Sequence, residues 1–394
     1  MVDHPSLTQP FIAPPPLQPK RTMDPYAQCW CLSGKKWKWC HKDRDRQTAV
    51  NSYELVEELN AAYMRGHCSH PAASKQTCSE AIVRSHTVQR RGGLAAIAED
   101  GHVVSAKAGY KNIFKNNGEI IPQREGVKSA STFMGFCGHH DTTMFRSVET
   151  GLVSLTHEAA FLLSFRAVAY EVFQKRAALE SSMRTDRDAD KGKPFEAQCA
   201  IQEHRHFYQE GLRRGVAEIE RWKAEYDSTY LNLDYSRFAF YAVAFEGVLP
   251  VVACGCIYPE FDFAGRRLQI ISRGQEQLEH VTFNMTVLDE RTIVVFSWRK
   301  GEIGPARVFA DSYAEIPVNE KAEAVVRFAF AQFENICMKP SWWYGLSSEQ
   351  RDAAIYRIKT GTGMFGPERL ASDLLPDGRT YVGPIVIAET VTSR

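Results

Sequence analysis

Apolar positions along the 394-residue chain change period several times, and each change predicts a new element. In SYELVEELNAAYM, residues 52–64, Leu55, Leu59 and Ala62 recur at helical spacing, and Ser52 is placed as an N-cap. From His67 to about Glu149, short β-like runs (Ala81–Val83, His102–Ser105) alternate with the turns Arg91-Gly92-Gly93 and Asn116-Asn117-Gly118, and a helix starts after Gly138. Residues 152–232 carry a helical stripe of Leu162, Phe165, Val168, Ala169 and Val172. The charged break RTDRDADKGKP within them predicts two antiparallel helices. From Phe238 the period becomes strand-like: FAFYAVAF, VLPVVACGCIY, RLQIIS, HVTFNMTVL and TIVVFSW predict an antiparallel sheet of about five strands. EKAEAVVRFAFAQFENICM and SSEQRDAAIYRIK then read as closing helices.

These patterns imply a multidomain α+β protein divided at 1–25, 26–46, 50–150, 152–232 and 236–394. Seven of the 18 prolines precede Tyr26, so the first segment reads as a disordered leader. It contains no continuous apolar stretch of the kind a signal peptide needs, and no run in the chain approaches the roughly 18 apolar residues of a membrane span. A cytoplasmic location with no membrane partner is expected.

The formal charge of +1 conceals an asymmetry. Residues 1–150 hold 19 basic and 14 acidic side chains, net +5, and the remainder 29 and 33, net −4. The same front third holds six of the 10 cysteines and eight of the 12 histidines. In a reducing compartment such clusters are better read as metal ligands than as disulfides.

The first cluster is QCWCLSGKKWKWCHK, in which Cys29, Cys31, Cys40 and His41 offer four soft ligands for a tetrahedral zinc. Lys35, Lys36, Lys38 and Lys42 surround it, with Trp30, Trp37 and Trp39 interleaved. These residues resemble the SEC-C motif, a zinc knuckle of pattern C-x-C-G-S-G-K-K followed by C-C or C-H. Leu32 stands where that pattern has Gly. The resemblance implies a knuckle that contacts partner proteins or ribosomes, so residues 26–46 are expected to dock on a protein or ribonucleoprotein.

The second cluster is Cys68, Cys78, Cys137 and His140, two ligands ahead of a hairpin and two at a helix start, the order of a treble clef. With His86 between them and an Asn-Asn-Gly turn, residues 50–150 resemble the ββα-metal (HNH) nucleases. By that resemblance His86 is a general base for water, Asp141 or His139 binds Mg or Mn, and Asn116 or Asn117 orients the histidine. Arg84, Arg90, Arg91, Lys107, Lys111 and Lys115 would then hold nucleic acid. The sequence departs from that family in having Ser85-His86 at the base position, Asp141 as the last ligand and a long insert.

Cys254-x-Cys256 reads as buried thiols, Trp342-Trp343-Tyr344 as an aromatic run packed under a loop, and His204-x-His206 as a surface pair, since i and i+2 on a helix diverge. No P-loop, dinucleotide fingerprint or nucleophile elbow is present. Two functions follow: a two-zinc protein hydrolysing phosphodiesters at a metal-dependent HNH-like site, or a non-enzymatic zinc adaptor.

Overall fold

Asn51, one residue before the expected cap, accepts the Tyr53 N–H at 2.9 Å and opens α1 (Ser52–Tyr63). The structure is a computed structural model that describes residues 14–79, 81–106, 114–117, 119–149, 155–185, 188–271, 278–301, 303–361 and 370–393. After α1 come β1 (Ile82–His86), β2 (His102–Ser105), β3 (Gln123–Gly126), β4 (Thr132–Cys137) and α2 (Gly138–Glu149). The helical hairpin consists of α3 (His157–Thr185) and α4 (Phe195–Asn232). Four strands follow: β5 (Phe238–Phe245), β6 (Val251–Ile257), β7 (Val281–Leu288) and β8 (Arg291–Arg299). The chain ends with α5 (Pro305–Ala314), α6 (Lys321–Gln332), β9 (Ile336–Met338), α7 (Pro340–Gly345), α8 (Ser348–Gly361) and β10 (Ile387–Ser393).

The large sheet is antiparallel, in the order β10-β5-β8-β7-β6-β9-β2-β3, and β1 pairs separately with β4. Strands β2 and β3 come from the insert between β1 and β4, so the sheet crosses the boundary expected at residue 150. Tyr241, Val243 and Phe245 point into a core with α5, α6 and α8, while Phe240 and Ala242 point toward α3. Covering both faces explains why the strands read as continuous apolar runs. Helix α3 is likewise buried from Ala159 to Tyr170, because the sheet, α2, α4 and the β1–β4 pair enclose it.

Two expected elements differ. The described part of RLQIIS, residues 267–271, is not a strand: Leu268 N–H bonds to the Glu260 carbonyl and the Gln269 amide brackets the Glu279 backbone, which pins it as a loop. The helix in EKAEAVVRFAFAQFENICM stops at Gln332, and Ile336–Met338 becomes β9. Phe333 turns extended there, is buried and stacks on Phe283 at 5.0 Å between ring centroids. The tight β7–β8 turn places Asp289 and Glu290 at φ +50° and +57°, without a glycine.

The Pro-rich segment is described from residue 14 onward, and its first 13 residues lie outside the described residues. Leu17 is buried, its N–H donates to Glu203 on α4, and His206 of α4 donates to the Pro15 carbonyl. No described helix is long and apolar enough to cross a membrane.

Candidate metal centres

The first centre forms where a tight turn brings two cysteines beneath a short 3-10 turn carrying the third. The Cys29 N–H bonds to the Lys35 carbonyl, and Trp37–Trp39 wind one turn that delivers Cys40 and His41. Leu32, in the glycine position of the motif, adopts φ +56°, a left-handed conformation costing a branched residue about 1 kcal/mol. His41 Nδ1 lies 3.2 Å from both Cys29 Sγ and Cys40 Sγ, and the Cys31 and Cys40 sulfurs are 3.5 Å apart. Tetrahedral zinc with ordinary bond lengths requires S···N near about 3.6 Å and S···S near about 3.8 Å. The four donor atoms therefore stand at roughly the separations a shared ion imposes, and all are buried.

Sequence reasoning did not find the support behind this centre. His41 Nε2 donates to Asp190 Oδ2 at 2.7 Å, and Asp190 also accepts from Arg44 Nε at 2.8 Å, Arg44 Nη2 at 2.5 Å and Gln202 Nε2 at 2.7 Å. Asp190 is fully buried in the α3–α4 connection. Burial opposes charge on His41, yet the Asp190 and cysteine contacts raise its pKa to about 11. The Asp190 contact holds the Nε2 proton, so the proton a bound zinc would displace is the one on Nδ1, which faces the sulfurs; this is the carboxylate–histidine arrangement that orients zinc ligands. Only the charged composition of RTDRDADKGKP hinted at this role, and 149 residues separate the two partners.

The second centre is built by β4 and α2. Cys137 ends the strand, and His140 sits in the first helical turn, where its backbone N–H points at Cys137 Sγ at 3.5 Å. Cys68 and Cys78 arrive from the loop before β1. His140 Nδ1 lies 3.4 Å from Cys68, 3.6 Å from Cys78 and 3.2 Å from Cys137. Burial works against the Cys137 thiolate, but the His140 N–H and Ser79 hold its pKa down to about 6, while burial pushes Cys68 up to about 11. His70 stacks flat on His140 with centroids 3.9 Å apart, and burial and His140 depress its pKa to about 4. Lys223 of α4 donates to the Ser69 carbonyl at 2.9 Å, tying this loop to the helical hairpin. Among the described residues these are the two Cys/His clusters able to hold an ion, and both donor sets suit zinc.

The other candidate residues are not among these donors. His86 ends β1, and its Nε2–H donates to the Val127 carbonyl at 2.9 Å; burial lowers its pKa and keeps the imidazole neutral. Asp141 follows His140 in α2, with Oδ1 buried and lacking a hydrogen bond. Asn117 is exposed at φ +53° in a turn. Among the described residues no hydrogen bond joins these three. Arg84, Arg90, Arg91 and Lys115 are exposed; Lys107 and Lys111 lie outside the described residues.

Cys254 is buried and Cys256 half-buried in β6, away from both centres. Trp343 is buried and Trp342 donates to the Tyr381 carbonyl, as expected of a packed aromatic run, whereas Tyr344 is exposed. His206 holds Pro15, and His204 stacks on Tyr208. Comparison with family models, curated proteins and solved structures found no match.

Proposed function

We propose that the protein is a non-enzymatic zinc adaptor, with two zinc ions as scaffolds and the SEC-C-like knuckle as its docking module for a protein or ribonucleoprotein. One observation carries this reading. The knuckle is clamped by Asp190, by Arg205 donating to the Cys31 carbonyl and by the packing of Leu17 and Phe195, yet Tyr26, Leu32 and Trp39 are 63%, 65% and 72% exposed. Trp30 and Trp37 of the same motif are buried against the metal cluster, so the apolar requirement of the knuckle is already met without Trp39. Large exposed rings on an anchored scaffold mark an interaction surface. Three cysteines and one histidine complete a tetrahedral shell, leaving no position for a substrate.

Pull-down with the full chain should recover a complex that Cys40→Ser abolishes. Recovery of an unchanged complex by that variant would reject the docking role of the knuckle.

A second reading treats residues 50–150 as a treble clef of HNH type. It is favoured by the neutral His86, whose Nε2–H is engaged and whose Nδ1 is left as a proton acceptor, beside exposed Arg84, Arg90 and Arg91. His86 would then serve as base, Asp141 or His139 as ligand for Mg or Mn, and Asn117 as a polar partner. Incubation of DNA and RNA with Mg²⁺ or Mn²⁺ tests it: cleavage by the wild type and its loss in His86→Ala is the required pattern, and equal activity in both removes the assignment.

A further inference from the structure

We infer that the exposed face of the first knuckle binds single-stranded nucleic acid, with bases stacking on Tyr26 and Trp39 and phosphates held by Lys35, Lys36, Lys38 and Lys42. This rests on the adaptor reading and names the chemistry of its partner.

The backbone assembles this face. Trp37 N–H bonds to the Ala27 carbonyl at 2.8 Å and Lys38 N–H to the Pro25 carbonyl at 3.1 Å, laying residues 25–28 beside 35–38. Tyr26 and Trp39, 13 positions apart, thereby flank one ammonium: Lys38 Nζ is 3.8 Å from the Tyr26 ring centroid and 4.9 Å from that of Trp39. Lys36 Nζ stands 5.5 Å from the Tyr26 ring. These cation–π contacts orient both rings before any ligand arrives, which reduces the entropy lost on stacking.

Charge selects the partner. Between Tyr26 and Lys42 the chain has four lysines and no Asp or Glu. A zinc with three thiolates carries one formal negative charge, so the loaded unit keeps a net charge of about +3. None of these lysines makes an ion pair among the described residues. Nearby Asp24 is engaged through its carboxylate with the Tyr26 N–H at 2.8 Å, and exposed Asp43 and Asp45 lie beyond Lys42.

An acidic peptide would satisfy the lysines, but its carboxylates offer no flat face to two exposed rings. Nucleic-acid bases do, and phosphates supply the charge at every step. Rings projecting from a surface need unstacked bases, which a duplex withholds. Lysine also suits a flexible strand, because its ammonium is a point charge that tolerates varied phosphate positions.

The test is fluorescence anisotropy with the zinc-loaded full chain and labelled single strands of about 12 nucleotides, RNA and DNA, against the matching duplex and a poly-glutamate peptide. Trp39→Ala should weaken single-strand binding about 5- to 150-fold, and Trp39→Phe should restore most of it. Lys36→Gln should lower the slope of log affinity against log salt by about 0.7. Zinc content must match the wild type in each variant, which separates lost contact from lost fold. Equal affinity in Trp39→Ala, or preference for the duplex, overturns the inference. Binding of poly-glutamate without oligonucleotide binding also overturns it while leaving the adaptor reading intact; absence of oligonucleotide binding together with absence of any Trp39-dependent complex removes both.

Discussion

Asp190→Ala removes a buried carboxylate that four donor atoms from three residues share: His41 Nε2, Arg44 Nε and Nη2, and Gln202 Nε2. Deleting one side of a buried ion pair ordinarily costs about 3–5 kcal/mol, because the remaining charge stays desolvated. Here Arg44 keeps weaker contacts, Asp188 at 3.6 Å and the Gln47 side chain at 3.5 Å, which places the cost toward the lower end of that range. Loss of the acceptor behind a ligating histidine should weaken the first zinc about 10- to 100-fold, or about 1.4–2.7 kcal/mol. These two figures overlap, since zinc binding and closure of the knuckle are one equilibrium. Asp190→Asn should fall between wild type and Ala: its single carbonyl serves His41 or Arg44, while its NH₂ meets a donor. Chelator competition would measure zinc affinity, and limited proteolysis would follow opening of the α3–α4 connection. The decisive comparison is a double-mutant cycle with Cys40→Ser, where the two losses should be strongly non-additive. Asp190→Ala retaining wild-type zinc affinity and protease resistance would refute the coupling between knuckle and hairpin.

Other outcomes follow from the same geometry. Metal analysis should find two zinc ions per chain and one in Cys137→Ser, with the β1–β4 pair protected less from hydrogen exchange; an unchanged count would dismantle the second centre. His280 is fully buried, and burial holds its pKa down to about 3, below its ordinary 6.5. The unfolded chain therefore takes up this proton first, so the stability contribution is complete above about pH 6.5 and declines as pH falls toward 3, by about 2 kcal/mol between pH 7 and 5. Urea unfolding of wild type and His280→Phe at both pH values should show that much less acid sensitivity in the variant, and parallel curves would reject the assignment. A Cβ at Gly361 would stand 1.9 Å from the Ala331 carbonyl oxygen, so Gly361→Ala must separate α8 from α6 and should cost about 2 kcal/mol or more in denaturant titrations. Wild-type stability in that variant would show that the two helices yield freely.

Much of the local structure was legible in the sequence. Apolar period located α1, both helices of the hairpin, α8 and strands β5 to β8, and it failed where side chains overrode propensity, as with Gln269 at the non-strand RLQIIS and Phe333 ahead of β9. Cysteine and histidine spacing picked out both clusters that could hold an ion, because the first gathers residues close in the chain and a strand–helix junction fixes Cys137 against His140. Residues supporting those ligands were not legible.

What the sequence determined by itself is therefore the chemistry of the donors: which side chains are soft, where turns permit them to converge, and which segments are helix or strand. Tertiary structure alone decided that β2 and β3 leave the β1–β4 insert to extend the large sheet, that Asp190 and Lys223 reach back to hold the two centres, and that Trp39 faces outward while Trp37 faces inward. The physical reason is range. Period and ligand spacing express contacts within a few residues, whereas burial of a carboxylate or pairing of a sheet edge depends on surfaces more than a hundred positions apart.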